Sequence, residues 1–400
     1  MKNLLTNKTI VLGISGSIAA YKMANVASSL TKLGCDIQVI MTKNAQEFIS
    51  PLVFETLTGN KTIVDTFDPN VNYSVAHVAL AKKADLFMVA PASANIIGKI
   101  TGGIADDMLT TTIMACRCPK FIAPAMNTAM YENPIVQDNL KTLKDYGYKI
   151  IDPATGMLAC KDIGTGKLPD ETVLVNHIIR ELAYPKDLTG KKIMVTAGPT
   201  GEAIDPIRYI TNHSSGKMGY ALATAAMLRG GDVTLVTGRT ALKPPDFVKV
   251  VSVFSASEMC AAVMDCFEST DIVIKAAAVA DFKPSTVSKE KIKKINGHPE
   301  IRLSPTIDIL KTLGEKKRPD QFLCGFSMET QNMIENTLSK LKSKNVNMMV
   351  ANNLKEKGAG FNTSTNRVTI ITAEKTEALP LLSKDAVAHR VIDAILAEQR

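Results

Sequence analysis

The sequence predicts an α/β protein with two doubly wound domains, each built on a mainly parallel sheet. Its 400 residues exceed what one hydrophobic core usually supports, so two domains are expected. Both halves alternate short apolar strands with helical segments, and both begin with a buried strand that opens through glycines and hydroxyl residues into a helix. Alternation of this kind produces parallel strands joined by right-handed crossovers, as in Rossmann-like folds.

The first half begins with a predicted strand at Thr9–Leu12, and the loop Gly13–Lys22 then leads into a helix. Gly34 turns the chain into a second strand at Ile37–Met41. Residues 81–95, AKKADLFMVAPASAN, predict the end of a helix, an acidic residue, an apolar strand and an alanine-rich loop.

The second half repeats this organisation without repeating the sequence. A strand is predicted at Ile193–Ala197, and Tyr220–Leu228 is predicted as the helix that follows. Gly230 and Gly231 then turn the chain into a strand at Val233–Val236. Further along, CFESTDIVIKAAAVADF again predicts a helix, an acidic residue, a strand and an alanine-rich loop.

The join between the halves is predicted near Tyr184–Gly190. Proline, glycine and charged residues interrupt the hydrophobic pattern there, directly before a new strand. We therefore expect one domain at residues 1–190 and the other at residues 191–400.

The charge balance is basic, at +8, which implies acidic partners. Only 5% of the residues are aromatic and the lysines are dispersed, so phosphorylated small molecules are expected rather than nucleic acid. No apolar run approaches the roughly 20 residues that span a bilayer, and the N-terminus lacks a signal-peptide cleavage pattern. No membrane association is expected.

Seven cysteines are scattered along the chain. An odd, scattered set does not form a disulfide framework, so a reducing cytoplasm is expected. Cys116 and Cys118 are spaced like half of a metal site, but no second Cys or His pair lies at a suitable distance in the sequence. Packing in the core is the simpler interpretation of this pair.

Three polar loops of the first half follow predicted strands, and such loops meet at one edge of a parallel sheet. The first loop lacks the GxGxxG spacing of a dinucleotide site but can still cradle one phosphate at the start of the next helix. The second is Thr42–Asn44 and the third is Pro91–Asn95. The candidate ligand-binding residues in these loops are Gly13, Ser15, Gly16, Ser17, Thr42, Ser93 and Asn95.

Three further residues of the first half are candidates for chemistry. His77, predicted at the start of a helix, is either a partly buried structural residue or a catalyst that titrates near neutral pH. Asn127 follows the apolar run Phe121–Ala123 and is an uncharged donor suited to holding a carboxylate. Residues 156–170, GMLACKDIGTGKLPD, look too rich in glycine for a helix or strand, so they predict a mobile flap that carries the Cys160 thiol.

Residues 198–219, GPTGEAIDPIRYITNHSSGKMG, are the most informative stretch of the second half. They connect a predicted strand to a predicted helix, where backbone N–H groups and the helix dipole favour an anion. Ser214–Gly216 permit close backbone approach, Lys217 adds a positive charge, and Asn212 lies in the same loop. An ordinary strand-to-helix loop is the alternative, but the density of Gly, Ser, Asn and Lys favours an anion site.

Asp281 and several lysines complete the candidates of the second half. Asp281 ends an alanine-rich loop and is either a helix N-cap or a ligand-binding carboxylate. Lys291 lies in a charged run that is either a solvated loop or a phosphate contact. Lys340 and Lys344 lie four residues apart on a predicted helix whose core side is Ile334, Leu338 and Leu341, and a shared anion would offset their repulsion.

The 198–219 stretch resembles the signature of phosphopantothenate–cysteine ligases. The preceding residues resemble phosphopantothenoylcysteine decarboxylases, with the GISGSIAAYK loop, Asn127 in a PxMNxxM pattern, and Cys160. Together they resemble bifunctional coenzyme A biosynthesis enzymes over essentially the whole chain.

For the first half, this resemblance implies a flavodoxin-like, FMN-binding decarboxylase. The FMN phosphate would lie near Ser15 and Ser17, with Ser93 and Asn95 nearer the ring and ribityl chain. The resemblance assigns His77 and Asn127 to the substrate carboxylate and Cys160 to proton donation. It also implies that FMN takes electrons from the cysteinyl thiol before the carboxylate leaves and returns them afterwards.

For the second half, the resemblance implies ligation of 4′-phosphopantothenate to cysteine with CTP and Mg²⁺. Asp281 would bond the base and ribose or help to hold the cation, and both roles stay open. Asn212 would bind the acyl-nucleotide intermediate. The residues implied to contact the nucleotide are Asp281, Lys291, Phe326, Lys340 and Lys344. A homo-oligomer, a trimer-based dodecamer, is implied as well.

Two other functions compete with this interpretation. A nicotinamide-dependent reductase is disfavoured because GxGxxG is missing and because no acidic residue ends the second strand of either half, where Met41-Thr42 and Val236-Thr237 stand. A flavin-binding regulatory protein would not need His77, Asn127 and Cys160 together.

Overall fold

The computed structural model describes residues 3–67, 76–157, 163–293, 300–329, 333–353, 360 and 363–399. The chain divides into two units, Met1–Tyr184 and Pro185–Arg400. The division lies at the start of the proline- and glycine-containing segment, six residues before the sequence-based limit at residue 190.

The first unit is organised around a parallel sheet. Its strands are β1 (Thr9–Ile14), β2 (Asp36–Met41), β3 (Leu86–Ala92), β4 (Lys120–Pro124), β5 (Lys149–Ile150), β6 (Ala154–Met157) and β7 (Ile163–Lys167). Its helices are α1 (Lys22–Lys32), α2 (Pro51–Thr58), α3 (Ala76–Lys83), α4 (Ala94–Thr101), α5 (Met108–Ala115), α6 (Thr128–Tyr131), α7 (Pro134–Asp145) and α8 (Glu171–Leu182), with short 3₁₀ helices at Ile18–Tyr21 and Lys43–Glu47.

The strand order of this sheet is β2-β1-β3-β4-β5, with every pair parallel. This is the 2-1-3-4-5 order of flavodoxin-like folds. Every residue of β1 and β3 is buried because helices cover both faces. Ile10 and Leu12 pack in the core on one face, and Val11 packs in the core on the other.

The second unit contains a larger sheet. Its strands are β8 (Lys192–Ala197), β9 (Gly201–Ala203), β10 (Tyr209–Thr211), β11 (Asp232–Thr237), β12 (Lys249–Ser252), β13 (Ile272–Lys275), β14 (Phe282–Pro284), β15 (Leu303–Pro305), β16 (Phe322–Glu329), β17 (Met348–Asn353), β18 (Thr365–Asn366), β19 (Val368–Thr372), β20 (Thr376–Ala378) and β21 (Leu382–Ser383). Its helices are α9 (Lys217–Leu228), α10 (Ala256–Phe267), α11 (Ile309–Lys316), α12 (Met333–Ser343) and α13 (Lys384–Glu398).

The order of this sheet is β12-β11-β8-β13-β16-β17-β19-β20, and its first six strands are parallel. Numbered along the chain, those six strands have the Rossmann order 3-2-1-4-5-6. Strands β19 and β20 extend the sheet in antiparallel pairing. The prediction of two doubly wound domains with mainly parallel sheets is confirmed.

Several elements differ from the sequence prediction in their boundaries or their type. Strand β1 continues to Ile14, so the prediction that a loop begins at Gly13 was wrong. A Cβ on Gly13 would lie 2.9 Å from Phe87, which shows that this glycine serves close packing inside the sheet. Helix α9 begins at Lys217 rather than Tyr220. The stretch 198–219 is not a simple loop, because β9 and β10 pair within it as a hairpin.

The predicted flap at residues 156–170 was also assigned wrongly in part. Strands β6 and β7 pair antiparallel on either side of residues 158–162. The glycines that argued against a strand let β7 lie against its neighbours: a Cβ on Gly164 would lie 2.3 Å from the Thr128 Oγ1. Cys160 lies outside the described residues.

Candidate active sites

Ser15 holds two loops of the first unit together at the carboxyl edge of the sheet. Its hydroxyl, buried with the rest of the residue, donates to the Pro91 carbonyl at 2.7 Å and accepts from the Ser93 N–H at 2.9 Å. The loop after β1 and the loop after β3 are therefore fixed to each other through one side chain. Ser93 in turn caps α4 by accepting from the Ile96 N–H at 3.4 Å.

The Ser15→Ala variant is expected to lose about 1–3 kcal/mol of unfolding free energy, because it leaves the partly buried Ser93 N–H without its partner and removes one of the two hydrogen bonds that the Pro91 carbonyl accepts. Urea unfolding measures this loss. Ser50→Ala, which removes an exposed helix cap, is the control and should cost about 1 kcal/mol or less. Equal losses in the two variants would contradict the structural role of Ser15.

A polar cleft of about 570 Å³ opens beside these loops. The 3₁₀ helix at Lys43–Glu47, α4 and α5 all begin at it, so several backbone N–H groups surround it. The Thr42 Oγ1 is buried and has no hydrogen-bond partner within the described residues. A Cβ on Gly16 would lie 2.7 Å from the Asn44 Cβ, so only glycine permits this approach. The cleft lining includes the predicted Ser15, Gly16, Thr42, Ser93 and Asn95.

Lys99 offsets part of the negative charge in the polar cleft. Its ammonium group pairs with Asp106 at 2.8 Å and with Asp107 at 3.5 Å. The hydrogen bond from Lys99 lowers the pKa of Asp106, so that carboxylate stays ionised. Asp107 also caps α5 by accepting from the Thr110 N–H at 2.8 Å. The cleft lining holds three carboxylates (Asp65, Asp106 and Asp107) and two lysines (Lys43 and Lys99), so binding of an anion there would depend on the helix N-terminal N–H groups as well as on the lysines.

A second, more apolar cleft of about 660 Å³ lies beside the β6–β7 hairpin, and we call it the hairpin cleft. Asn127 lines it and begins α6, where its Oδ1 accepts from the Ala129 N–H at 2.9 Å. The Met126 N–H donates to the Gly166 carbonyl at 3.0 Å, so β7 is docked directly on the segment that carries Asn127. Gly166 has φ of +138°. Ser17 lines the same cleft.

The structure thus divides the predicted residues of the first unit between two clefts. Ser15, Gly16, Thr42, Ser93 and Asn95 line the polar cleft, whereas Ser17 and Asn127 line the hairpin cleft. Gly13 and His77 line neither. His77 is half-buried in the first turn of α3, as the sequence predicts for its place in a helix.

In the second unit, glycines bring α9 against the end of β8. A Cβ on Gly219 would lie 2.5 Å from the Ala197 Cβ, and one on Gly216 would lie 2.7 Å from the Thr240 Cγ2. Gly216 begins α9 with φ of +77°, a conformation that glycine adopts freely. The start of α9 and its N–H groups therefore lie at the carboxyl edge of the sheet, the position that suits an anion.

Asn212 is connected to the alanine-rich loop that follows β13. Its side-chain amide donates to the Ala278 carbonyl at 3.0 Å. The Thr200 Oγ1 accepts from the Ala280 N–H at 2.9 Å, which holds the same loop from the other side. The structure therefore brings Asn212 and the loop that ends at Asp281 together. Asp281 itself is exposed.

Lys344 pairs with Asp308 at 2.7 Å, at the start of α11. Burial opposes ionisation of Asp308, but the hydrogen bonds from Lys344 and from the Lys311 N–H hold its pKa below the ordinary value. Lys275 ends β13 on the face where α11 packs, and burial lowers its pKa while Asp308 and Asp281 oppose that shift. Sequence reasoning missed Lys275, although a lysine directly after an apolar strand was the available signal.

The orientation of α12 differs from the prediction. Ile334 is 45% exposed, so its assignment to the core side was wrong. Leu341 is buried and Leu338 packs against the core, as predicted, and the buried Thr337, whose hydroxyl lies 3.1 Å from the Ser327 hydroxyl, completes that side. Hydropathy alone could not identify this buried polar pair.

Lys340, Lys344, Lys291 and Phe326 are the other predicted residues of the second unit. Lys344 follows the last residue of α12, but its N–H still donates to the Lys340 carbonyl at 3.0 Å. Lys291 is exposed, and Phe326 lies half-buried on β16. Asn352, which sequence reasoning missed, has a buried Oδ1 without a hydrogen-bond partner in the described part of the chain.

The six cysteines in the described ranges are free, with Cys116 buried and Cys118 partly buried. Within those ranges, no three His, Cys, Asp or Glu residues are grouped as a metal site. No helix in the described residues has the length and apolar character needed to span a bilayer.

Comparison with known families assigns both units. Residues 1–183 match the family model described as Flavoprotein, and residues 188–398 match that of the DNA/pantothenate metabolism flavoprotein C-terminal domain. The coenzyme A biosynthesis bifunctional protein CoaBC of Bacillus subtilis (strain 168) is 44% identical over 400 residues, which cover 98% of each chain. The chain belongs to this family of bifunctional coenzyme A biosynthesis proteins.

Two further likenesses accompany this family assignment. A cysteine/cysteine sulfinic acid decarboxylase from an unknown prokaryotic organism is 45% identical over 354 residues, covering 87% of this chain and 99% of that one. The crystal structure of the C-terminal domain of a CoaBC protein is 45% identical and covers 52% of this chain and 95% of that one, with a TM-score of 0.45. The resemblance to bifunctional coenzyme A biosynthesis enzymes is confirmed.

Proposed function

We propose that the second unit ligates 4′-phosphopantothenate to cysteine and that the first unit decarboxylates the product to 4′-phosphopantetheine. Family membership makes the chain a bifunctional enzyme of coenzyme A biosynthesis with a flavoprotein half. The observation that carries the proposal is that each unit has helix N-termini beside close-packed glycines at the carboxyl edge of a parallel sheet, an arrangement that suits an anion.

The first unit suits FMN as its flavin. The polar cleft offers helix N-termini and the unpartnered Thr42 hydroxyl to a phosphate, and the hairpin cleft offers apolar side chains to a ring system. Gly16 and Ser93 would approach the phosphate side, with Asn95 beside them. When bound, FMN supplies reversible transfer of electrons to and from the substrate.

The chain's own residues would orient and protonate the decarboxylation substrate. Asn127 is held by its cap on α6 and by the docked hairpin, so its amide can bind a carboxylate in a fixed position. An uncharged amide does not stabilise that carboxylate as strongly as an ion pair would. We assign proton donation to Cys160 and a further contact with the carboxylate to His77.

The second unit would bind CTP along the start of α9 and the lysines near α11 and α12. The carboxylate of 4′-phosphopantothenate attacks the α-phosphorus and releases pyrophosphate, and the cysteine amine then attacks the acyl carbon and releases CMP. Lys340, Lys344 and Lys291 would stabilise the charge on the departing phosphates. Asn212 would bind the acyl group, and Phe326 would pack against the base.

Mg²⁺ would be held chiefly by the nucleotide phosphates. The described residues contain no acidic cluster that could cage a cation, and Mg²⁺ is commonly bound through one or two carboxylates together with substrate phosphates. Asp281, exposed beside the alanine-rich loop, is the carboxylate that we assign to this role or to the ribose.

Self-association of the first unit is part of the proposal. Large apolar side chains near the hairpin cleft are exposed: Ile18 by 57%, Tyr21 by 56%, Met157 by 65% and Ile163 by 78%. Contiguous exposed apolar surface marks contact with another chain. A trimer-based dodecamer in the cytoplasm is the assembly we propose.

Mass spectrometry tests the function directly. Purified, flavin-loaded protein is given 4′-phosphopantothenate, cysteine and Mg²⁺, with CTP or ATP in parallel, and 4′-phosphopantetheine is expected only with CTP. Accumulation of 4′-phosphopantothenoylcysteine would support the ligase and contradict the decarboxylase. No product with either nucleotide from folded protein would overturn the ligase. Decarboxylation of free cysteine alone would favour the activity named for the cysteine decarboxylase relative.

A further inference from the structure

Asp205 is a buried carboxylate in the turn between β9 and β10. Its side chain has no exposed surface. It accepts from the Ile207 N–H at 2.9 Å and from the Arg208 N–H at 2.8 Å, and the Arg208 guanidinium pairs with it at 2.5 Å. The hydrogen bond from Arg208 lowers the pKa of Asp205, so the carboxylate is ionised at neutral pH.

The same carboxylate reaches a segment 84 or more residues further along the chain. The Ile292 N–H donates to the Asp205 Oδ2 at 3.2 Å, and the Arg208 Nη2 donates to the Ile292 carbonyl at 2.7 Å. The Ser288 N–H donates to the Ile204 carbonyl at 3.0 Å. Both backbone groups of Ile292 are therefore engaged by one carboxylate–guanidinium pair, and Lys291 is the residue directly before it.

The hairpin that carries Asp205 also leads to Asn212. Strand β10 ends at Thr211, whose hydroxyl donates to the Thr200 carbonyl at 2.8 Å, and Asn212 follows. A rigid hairpin thus has Asn212 at one end and the attachment point of the Lys291 segment at the other. Hydrogen bonds to an ionised, buried carboxylate are stronger than neutral ones, which suits a fixed spacing.

We propose that Asp205 is a positioning residue for ligation: it holds the backbone next to Lys291 at a set distance from Asn212. This inference rests on the proposed ligase function and on Lys291 contacting the nucleotide. Asp205 would touch neither substrate nor nucleotide and would act through Lys291.

A double-mutant cycle separates this role from plain stabilisation. Asp205→Asn places an amide donor against donors, and we expect kcat/KM for ligation with CTP to fall about 10- to 100-fold, with decarboxylation of supplied 4′-phosphopantothenoylcysteine unchanged. In a Lys291→Ala background, Asp205→Asn is expected to lower kcat/KM for ligation by less than about twofold. A full additional 10- to 100-fold loss there would overturn the proposal.

Asp187→Asn is the matched control. Asp187 pairs with the Arg229 guanidinium at 2.9 and 2.5 Å, in the same unit, and so is likewise a carboxylate held by an arginine. It should lower the melting temperature to a similar extent while leaving ligation within about twofold. Equal loss of ligation in Asp205→Asn and Asp187→Asn would show that Asp205 acts only by stabilising the fold.

Ile292→Pro and amide hydrogen exchange cover the case in which Asp205→Asn fails to fold. The proline removes the N–H that donates to Asp205 and leaves the Asp205–Arg208 pair intact, so we expect the same loss of ligation and the same non-additivity with Lys291→Ala. Exchange in residues 286–292 should quicken in Asp205→Asn and not in Asp187→Asn. Wild-type ligation rates at both positions would overturn the inference, whereas no effect of Lys291→Ala alone would instead refute the assigned role of Lys291.

Discussion

Gly166→Ala is expected to lower decarboxylation about 100-fold or more while leaving ligation within about twofold. A Cβ on Gly166 would lie 2.3 Å from the Met126 carbonyl oxygen, a backbone atom that cannot rotate away, and φ of +138° disfavours any L residue. Strand β7 must therefore lift from the segment that carries Asn127. A displacement of about 1 Å at a substrate-positioning residue can cost a factor of about 100.

The measurement is the rate of carbon dioxide release from supplied 4′-phosphopantothenoylcysteine, with the ligase rate from the same preparation as internal reference. Gly147→Ala is the control, because Gly147 also has positive φ, +84°, but a Cβ there meets no atom within 4 Å. The Gly147→Ala variant therefore places alanine at a positive φ, as Gly166→Ala does, but without a steric clash. If Gly147→Ala lost decarboxylation equally, or if Gly166→Ala kept it, docking of the hairpin would not be what positions Asn127.

The same glycines show what the sequence could and could not predict. Parallel strands and the loops at their carboxyl ends follow from apolar runs and Gly/Ser punctuation, which are local signals. Gly164 and Gly166 suggested an irregular flap, yet they lie in β7, which pairs with β6. What these glycines permit is the close approach of Met126 and Thr128, which are distant in sequence. The β9–β10 hairpin was missed for a related reason: its strands have three residues each, too few for a periodic signal.

The sequence identified which residues lie at the candidate sites better than it identified what those residues contact. Serine at position 15 suggested a phosphate contact, but its hydroxyl bonds Pro91 and Ser93, more than 70 residues away, and such pairing leaves no trace in one sequence. Lys344 was identified from its spacing with Lys340, whereas its partner Asp308 precedes it by 36 residues. The proximity of Lys275 to Lys344 and Asp308 could not be predicted without the register of β13 against β8 and β16.

Lys344→Met is expected to raise the KM for CTP about 10- to 100-fold, with a smaller effect on kcat. Loss of the ammonium removes a charge-assisted contact, which is worth about 1.5–3 kcal/mol. It also leaves the Asp308 carboxylate without its 2.7 Å partner, so a negative charge faces the nucleotide phosphates. Initial-rate kinetics of pyrophosphate release over a range of CTP concentrations give both parameters.

The Lys342→Met variant is the matched control, because Lys342 is exposed and lies two residues from Lys344, on another side of the helix. It should leave the KM for CTP within about twofold. Adding Asp308→Asn to Lys344→Met should recover several-fold of the lost affinity, since asparagine still caps α11 but carries no charge. A Lys344→Met enzyme with the wild-type KM would place the triphosphate elsewhere. A double variant no better than Lys344→Met would show that Asp308 does not face the nucleotide, leaving the effect of Lys344 to its own contact alone.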